Sequence, residues 1–86
     1  MTLDDIKSII ETNIPEATVY VLDPMNDGEH LQAIVVSSSF KDKMLVQQHK
    51  MVMTPLKEAF KSSVHALALK TFTPEKWAEV KSEYNL

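Results

Sequence analysis

The sequence predicts an α+β domain in which a small three-stranded sheet packs against several helices. Three features predict it: apolar residues at helical spacing, short apolar runs between them, and turn-forming residues at the boundaries. The chain has 86 residues, of which 44% are hydrophobic, and it contains a single Gly. A chain of this length is expected to form one domain over residues 1–86 that buries about 60–65% of its unfolded surface.

The first half of the chain predicts a helix followed by a β-hairpin. Thr2 and Asp5 resemble a capping box, and four apolar residues mark one helix face: Leu3, Ile6, Ile10 and Ile14. Residues 17–22 are rich in β-branched and aromatic side chains, and residues 31–36 form a second apolar run, so both favour strands. Residues 23–28, between them, are strong turn formers, so the two strands are expected to pair antiparallel.

The second half predicts a further helical region, a strand and a last helix. An apolar stripe at helical spacing marks the first of these: Leu45, Val52, Leu56 and Phe60. Thr54-Pro55 suits the start of a helix, which leaves either one kinked helix or two helices meeting near residue 54. Residues 65–72 predict the third strand. Thr73-Pro74 then begins a helix with a buried face of Trp77, Val80 and Tyr84, giving the order αββα(α)βα.

Composition excludes several classes of function. The chain has no Cys, which excludes a disulfide framework, a thiolate zinc site, a self-held iron–sulfur cluster and a cysteine nucleophile. One Gly cannot build a phosphate-binding loop, and residues 37–39, three serines, predict a solvated strand end rather than a nucleophile. With no spanning segment and no signal peptide visible, we expect a cytoplasmic protein without enzymatic activity and without membrane contact.

The net charge of −3 conceals an uneven distribution of charge. Residues 1–40 carry one Lys and seven acidic residues, whereas residues 41–70 carry six Lys and two acidic residues. All nine basic residues are Lys, and Arg supplies the paired contacts that readers of DNA sequence favour. Residues 47–50 (Gln-Gln-His-Lys), expected to be exposed on the central helix, are therefore the best placed for weak contacts with phosphates.

Three histidines remain as candidate metal ligands: His30, His49 and His65. Their spacings of 19 and 16 residues match no local chelating motif. Taken alone, each is more often structural than functional. An imidazole at the end of a strand can nevertheless give one ligand to a metal site that another molecule completes. Any metal bound through these residues would therefore have to be shared.

Several short motifs together resemble the BolA family. They run from the turn before the second strand to the last helix: Asp27-Gly28-Glu29-His30-Leu31, Val35-Val36-Ser37, Phe40-x-x-Lys43, Val46-x-x-His49, Leu56, His65-Ala66-Leu67 and Thr71-x-Thr73-Pro74-x-x-Trp77. The first is most similar to the bacterial BolA-like branch, which has Asp-Gly-Ser-His-Phe there. The combination of His-Ala-Leu with Thr-Pro-x-x-Trp at this distance is specific, and the length and element order agree over the whole chain.

The resemblance implies a fold similar to the class II KH domain without its Gly-x-x-Gly loop. It also implies a partner, a monothiol glutaredoxin, with which family members share a bridging [2Fe-2S] cluster. The glutaredoxin Cys and glutathione supply thiolates, and the BolA-like chain supplies the histidine that matches His65. A second ligand from the loop between the first two strands would here be His30. The chain alone is expected to bind no cofactor, and its role would lie in iron–sulfur cluster trafficking or in iron and redox regulation.

The sequence also departs from the family pattern and leaves other functions open. Asp42 replaces a Gly in the Phe-x-Gly-Lys turn, where Asp tolerates a left-handed backbone better than most residues. The Arg-His-Arg of the family is Gln-His-Lys at residues 48–50. The alternative function is a nucleic-acid-binding transcriptional regulator that contacts DNA weakly through Lys43, His49 and Lys50. A third possibility is a homodimer that pairs through an open edge strand.

Overall fold

The computed structural model of the chain describes residues 3–27, 30–60 and 67–86. The helices and strands are α1 (Leu3–Asn13), β1 (Thr18–Leu22), β2 (Leu31–Val36), α2 (Leu45–Phe60), β3 (Leu67–Phe72) and α3 (Pro74–Val80). Two short 3-10 helices, Ser38–Phe40 and Lys81–Tyr84, follow β2 and α3. The predicted α+β class and element order are confirmed, and the likeness to a KH domain stays a prediction.

The sheet has the strand order β1-β2-β3. β1 and β2 pair antiparallel, as predicted for the hairpin, with Thr18 opposite Val36. β2 and β3 pair parallel, with Leu31 opposite Leu67, and α2 lies in the connection between them. The central position of β2 explains its sequence, since a strand covered on both faces needs few polar side chains.

The main core lies between one face of the sheet and the helices α1 and α2. Alternate residues of β2, including Ala33 and Val35, point to this face and are completely buried. The helices and the 3-10 segment bring the other fully buried side chains: Ile6, Ile10, Phe40, Val52 and Leu56. The predicted apolar face of the first helix enters the core through Ile6, Ile10 and Ile14, whereas Leu3 is 37% exposed. Of the predicted α2 stripe, Val52 and Leu56 lie in the core, and the side chain of Phe60 lies outside the described residues.

A second apolar cluster covers the opposite face of the sheet. Ile34 and Val36 pack there against Trp77 of α3, which is 8% exposed. The Trp77 ring lies 5.5 Å from Tyr20, 5.4 Å from Phe72 and 5.7 Å from Tyr84 between ring centroids. Thr73 begins α3 as predicted, because its side chain accepts a hydrogen bond from the backbone N–H of Lys76 at 3.3 Å. Of the predicted buried face, Trp77 is buried and Val80 is half-buried, and Tyr84 packs half-buried against the same cluster from the 3-10 helix that follows α3.

The structure gives a clear outcome for the local predictions at Pro55, Ser37 and Asp42. The two-helix alternative is wrong, because α2 continues through Pro55 as one helix. Ser37 is not solvated: it is 1% exposed, and its Oγ donates to the carbonyl oxygen of Pro15 at 2.6 Å. Asp42 has a φ of 63°, so the turn takes the left-handed backbone that Gly would favour. Ser37 differs from the expectation because it is buried against a distant part of the chain, whereas the left-handed backbone at Asp42 is as expected.

β3 is described from Leu67 onward, so the predicted strand residues 65 and 66 lie outside the described residues. In the part of the chain that the structure describes, none of the helices is long and apolar enough to cross a membrane.

Candidate functional site

The best-defined candidate ligand is His30, which directly precedes β2. Its backbone N–H donates to Oδ1 of Asp27 at 3.0 Å, and its ring Nδ1 lies 2.7 Å from Oδ2 of the same carboxylate. The His30 side chain is 61% exposed, so solvent and other molecules can approach the ring. One carboxylate therefore fixes both the backbone and the imidazole of His30.

The loop that carries this pair is itself ordered by a second aspartate. Asp23 follows β1, and its carbonyl oxygen accepts the backbone N–H of Asn26 at 3.1 Å. Its Oδ1 also accepts the backbone N–H of Asp27 at 3.2 Å. Asn26 has a φ of 54°, a left-handed conformation that Asn adopts more readily than most residues. The turn predicted from composition thus runs as a chain of contacts from Asp23 through Asp27 to His30.

Of the other two histidines, only His49 lies in the part of the chain that the structure describes. His65, the principal predicted ligand, lies outside the described residues. His49 is half-buried on α2 and lines a shallow cavity of about 270 Å³ together with residues of β3 and Tyr84. Among residues 3–27, 30–60 and 67–86, no three His, Asp or Glu side chains gather in a way that could hold a metal ion. Within the described residues, a metal would therefore meet single imidazoles rather than a complete site.

The start of α2 forms the candidate nucleic-acid surface. Lys43 and Lys50 are exposed and His49 is half-buried, so the two lysines are the residues best able to reach a phosphate. Gln48 is not available for such a contact, contrary to the expectation. Its Nε2 donates to the carbonyl oxygens of Lys43 at 2.9 Å and Phe40 at 3.3 Å.

Gln48 also connects α2 to the sheet, because its Oε1 accepts from the Thr71 hydroxyl at 2.6 Å. Thr71 is 7% exposed, so this contact is largely removed from water. Gln48 therefore holds the turn before α2 against β3. The sequence contained no local signal for this, because Thr71 lies 23 residues away.

Three apolar side chains at the start of α2 are exposed: Met44 at 69%, Leu45 at 60% and Val46 at 60%. Leu45 was expected in the buried helical stripe, and that placement is wrong. The stripe becomes buried about two to three turns later, at Val52 and Leu56. The same short segment thus presents apolar and basic side chains next to each other.

The fold and these two surfaces define a small α+β domain with one loop imidazole and one lysine-bearing helix start. The family profile of BolA-like proteins matches residues 11–76. The chain therefore belongs to the BolA-like family.

Relatives with known sequences agree with this assignment. The DNA-binding transcriptional regulator BolA of Haemophilus influenzae is 44% identical over 48 residues, 56% of this chain and 47% of that protein. The regulator of the same name from Escherichia coli is 33% identical over 54 residues, 63% of this chain and 51% of that protein. The chain thus matches about half the length of these curated relatives.

Solved structures agree as well. A BolA homologue from Coxiella burnetii has a TM-score of 0.75 at 34% identity, covering 91% of this chain and 97% of that one. BolA1 of Mus musculus has a TM-score of 0.72 at 28% identity, covering 92% of this chain and 70% of that one. The BolA domain of SufE1 from Arabidopsis thaliana has a TM-score of 0.65 at 29% identity, covering 86% and 93%.

Proposed function

We propose that this chain is an adaptor that binds a monothiol glutaredoxin and contributes an imidazole to a two-iron two-sulfur cluster shared between the two proteins. The observation that carries the proposal is the His30 side chain, exposed at the end of a loop and held by Asp27. His65, in its His-Ala-Leu setting, is the other proposed ligand by resemblance to the family. The role would be cluster trafficking or iron and redox regulation.

The donor chemistry of the chain fits this function. The sequence has no Cys, so every thiolate on such a cluster would come from the glutaredoxin and glutathione. A neutral imidazole in place of a thiolate makes the cluster less negative and raises its reduction potential, as in Rieske centres. The chain would thereby alter the electronic properties of a cluster that it cannot hold alone.

The proposal is tested by adding the protein to a monothiol glutaredoxin loaded with the cluster. We expect the visible absorption and circular dichroism of the cluster to change on mixing, because a ligand is replaced. His65→Ala should reduce or abolish the change, whereas His49→Ala should leave it intact. No change with the wild-type protein would contradict the function, and an equal change with His65→Ala would contradict that ligand assignment.

A second candidate function is weak binding of nucleic acid. Two relatives bear the name DNA-binding transcriptional regulator, and Lys43 and Lys50 are exposed near the start of α2. The ammonium groups of these lysines would bind phosphates by displacing counterions, without reading bases. The net charge of −3 and the absence of Arg favour low affinity.

The salt dependence of the binding affinity tests whether the chain binds nucleic acid through its lysines. Affinity for a fluorescent duplex should fall steeply between about 0.05 and 0.15 M salt, and replacing Lys43 and Lys50 together by Gln should lower the log–log salt slope by about 2. Lys7→Gln, on α1 in the acidic half of the chain, serves as the matched control. No binding at micromolar protein in the lower salt would dispose of this function.

A further inference from the structure

We propose that Asp27 is a positioning residue that holds His30 with its proton on Nδ1, so that Nε2 is the nitrogen by which His30 binds the shared cluster. This inference rests on the proposed adaptor function and specifies how the loop ligand is prepared. It assigns a role to an aspartate that the family resemblance leaves without one.

The contact between the Asp27 carboxylate and the His30 ring determines the tautomer. An ionised carboxylate can only accept hydrogen bonds, so the 2.7 Å contact between Asp27 Oδ2 and His30 Nδ1 requires a proton on Nδ1. In the neutral ring, the lone pair is then on Nε2. A bond from this ring to iron would therefore use Nε2, with the carboxylate behind the ring.

The same contacts fix where the ring lies. Oδ1 of Asp27 holds the His30 backbone N–H at 3.0 Å, and Asp23 in turn holds the backbone N–H of Asp27. On the other side, Leu31 is 4% exposed and paired with Leu67 in the sheet. The imidazole is thus tied to the ends of both β1 and β2, which lowers the entropy lost when it binds a metal.

A carboxylate hydrogen-bonded to the second nitrogen of a metal-binding imidazole has a known physical effect. It selects the tautomer, orients the ring and makes the metal-binding nitrogen a stronger donor, and its loss commonly weakens metal binding 10- to 100-fold. Asp27 and His30 have this arrangement within the chain itself. The ligand is therefore oriented before the cluster arrives.

The tautomer is measured in the protein alone by NMR of the imidazole nitrogens at alkaline pH, where the ring is neutral. The wild-type protein should show His30 with a protonated Nδ1. In Asp27→Asn the amide oxygen can still accept the backbone N–H of His30, but the amide N–H2 now donates to Nδ1, so the proton should move to Nε2. Asp42→Asn is the matched control in another turn and should leave His30 unchanged.

The cluster measurement uses the same variants. With cluster-loaded glutaredoxin, Asp27→Asn should raise about 10-fold the protein concentration at which the circular dichroism change is half-maximal. His30→Ala should raise this concentration at least as much. A His30 protonated on Nε2 in the wild-type protein overturns the positioning role. If the wild-type protein changes the spectrum and Asp27→Asn behaves identically, this inference fails alone. If the wild-type protein changes nothing, the adaptor function fails with it.

Discussion

Among single residues, Ser37 is the buried member of the serine run. Its Oγ donates to the Pro15 carbonyl oxygen at 2.6 Å and accepts from the backbone N–H of Ser39 at 3.1 Å. Ser37→Ala would remove both contacts in a site that is 1% exposed and leave the Pro15 carbonyl oxygen only the longer hydrogen bond from the Ser39 hydroxyl, at 3.4 Å. We expect it to lower the free energy of unfolding by about 1–3 kcal/mol, measured by urea denaturation.

Ser38→Ala is the matched control for this substitution. Ser38 is exposed, and its hydroxyl donates to Glu16 Oε2 at 2.8 Å in a setting where water can replace the contact. Its loss should change the free energy of unfolding by no more than about 0.5 kcal/mol. Equal effects of the two substitutions would contradict the structural role given to Ser37.

Gln48 is expected to stabilise the start of α2 through its hydrogen bonds. Gln48→Ala removes the donor to two loop carbonyl oxygens and the acceptor of the Thr71 hydroxyl. Because Thr71 is nearly buried, we expect a loss of about 1–3 kcal/mol in the free energy of unfolding, followed by circular dichroism in urea. Lys50→Ala, exposed on the same helix, should cost far less. A Gln48→Ala protein as stable as the wild type would show that the connection between α2 and β3 is unimportant.

Among the elements, α2 contains an internal conflict at Pro55. Proline has no N–H, so the carbonyl of Met51 lacks its normal intrahelical donor, and the ring crowds the preceding turn. Pro55→Ala should therefore raise the free energy of unfolding by about 1–3 kcal/mol, after allowance for the greater freedom of the unfolded chain.

Thr54→Ala provides the comparison, because it changes helix propensity at the adjacent exposed position. It should stabilise by no more than about 0.7 kcal/mol. Both variants are compared in the same urea titration. If Pro55→Ala destabilised the protein, the proline would be contributing contacts or a bend that the fold needs.

Most elements could be predicted from the sequence because their signals are local. β2 has the predicted bounds, and the Thr73-Pro74 start of α3 is confirmed. The sequence left open whether a second helix begins at Pro55, and burial of Val52 and Leu56 on either side of it outweighs the local preference to begin a helix there.

In the candidate site, too, local features could be predicted from the sequence and long-range contacts could not. The turn before His30 was predictable from its composition. The hydrogen bond between Asp27 and the His30 ring was not, because it depends on the folded conformation of the loop. Ser37 is buried against Pro15, 22 positions away in the sequence, and Gln48 points inward to Thr71, 23 positions away. No local sequence pattern contains these pairs. Long-range hydrogen bonds of this kind appear only in the folded chain.

At the level of the whole molecule, the sheet separates two apolar clusters that must both form. The second depends on Trp77, which contacts three aromatic rings and packs over β2. Trp77→Ala should cost about 3–5 kcal/mol, and Trp77→Phe clearly less, since it refills part of the space. Circular dichroism in urea measures both. A Trp77→Ala protein within about 1 kcal/mol of the wild type would mean that α3 is dispensable for the fold.

The proposed function also concerns the whole molecule, because the chain must meet its partner with at least one imidazole directed at a shared cluster. The most direct measurement labels only this chain with 15N-histidine and leaves the glutaredoxin and glutathione unlabelled. The reduced, paramagnetic cluster of the complex is then examined by pulsed electron paramagnetic resonance, which detects nitrogen bonded to iron. We predict a strong 15N coupling that is lost or reduced in His65→Ala. A spectrum that is the same with labelled and unlabelled protein would contradict the proposed function.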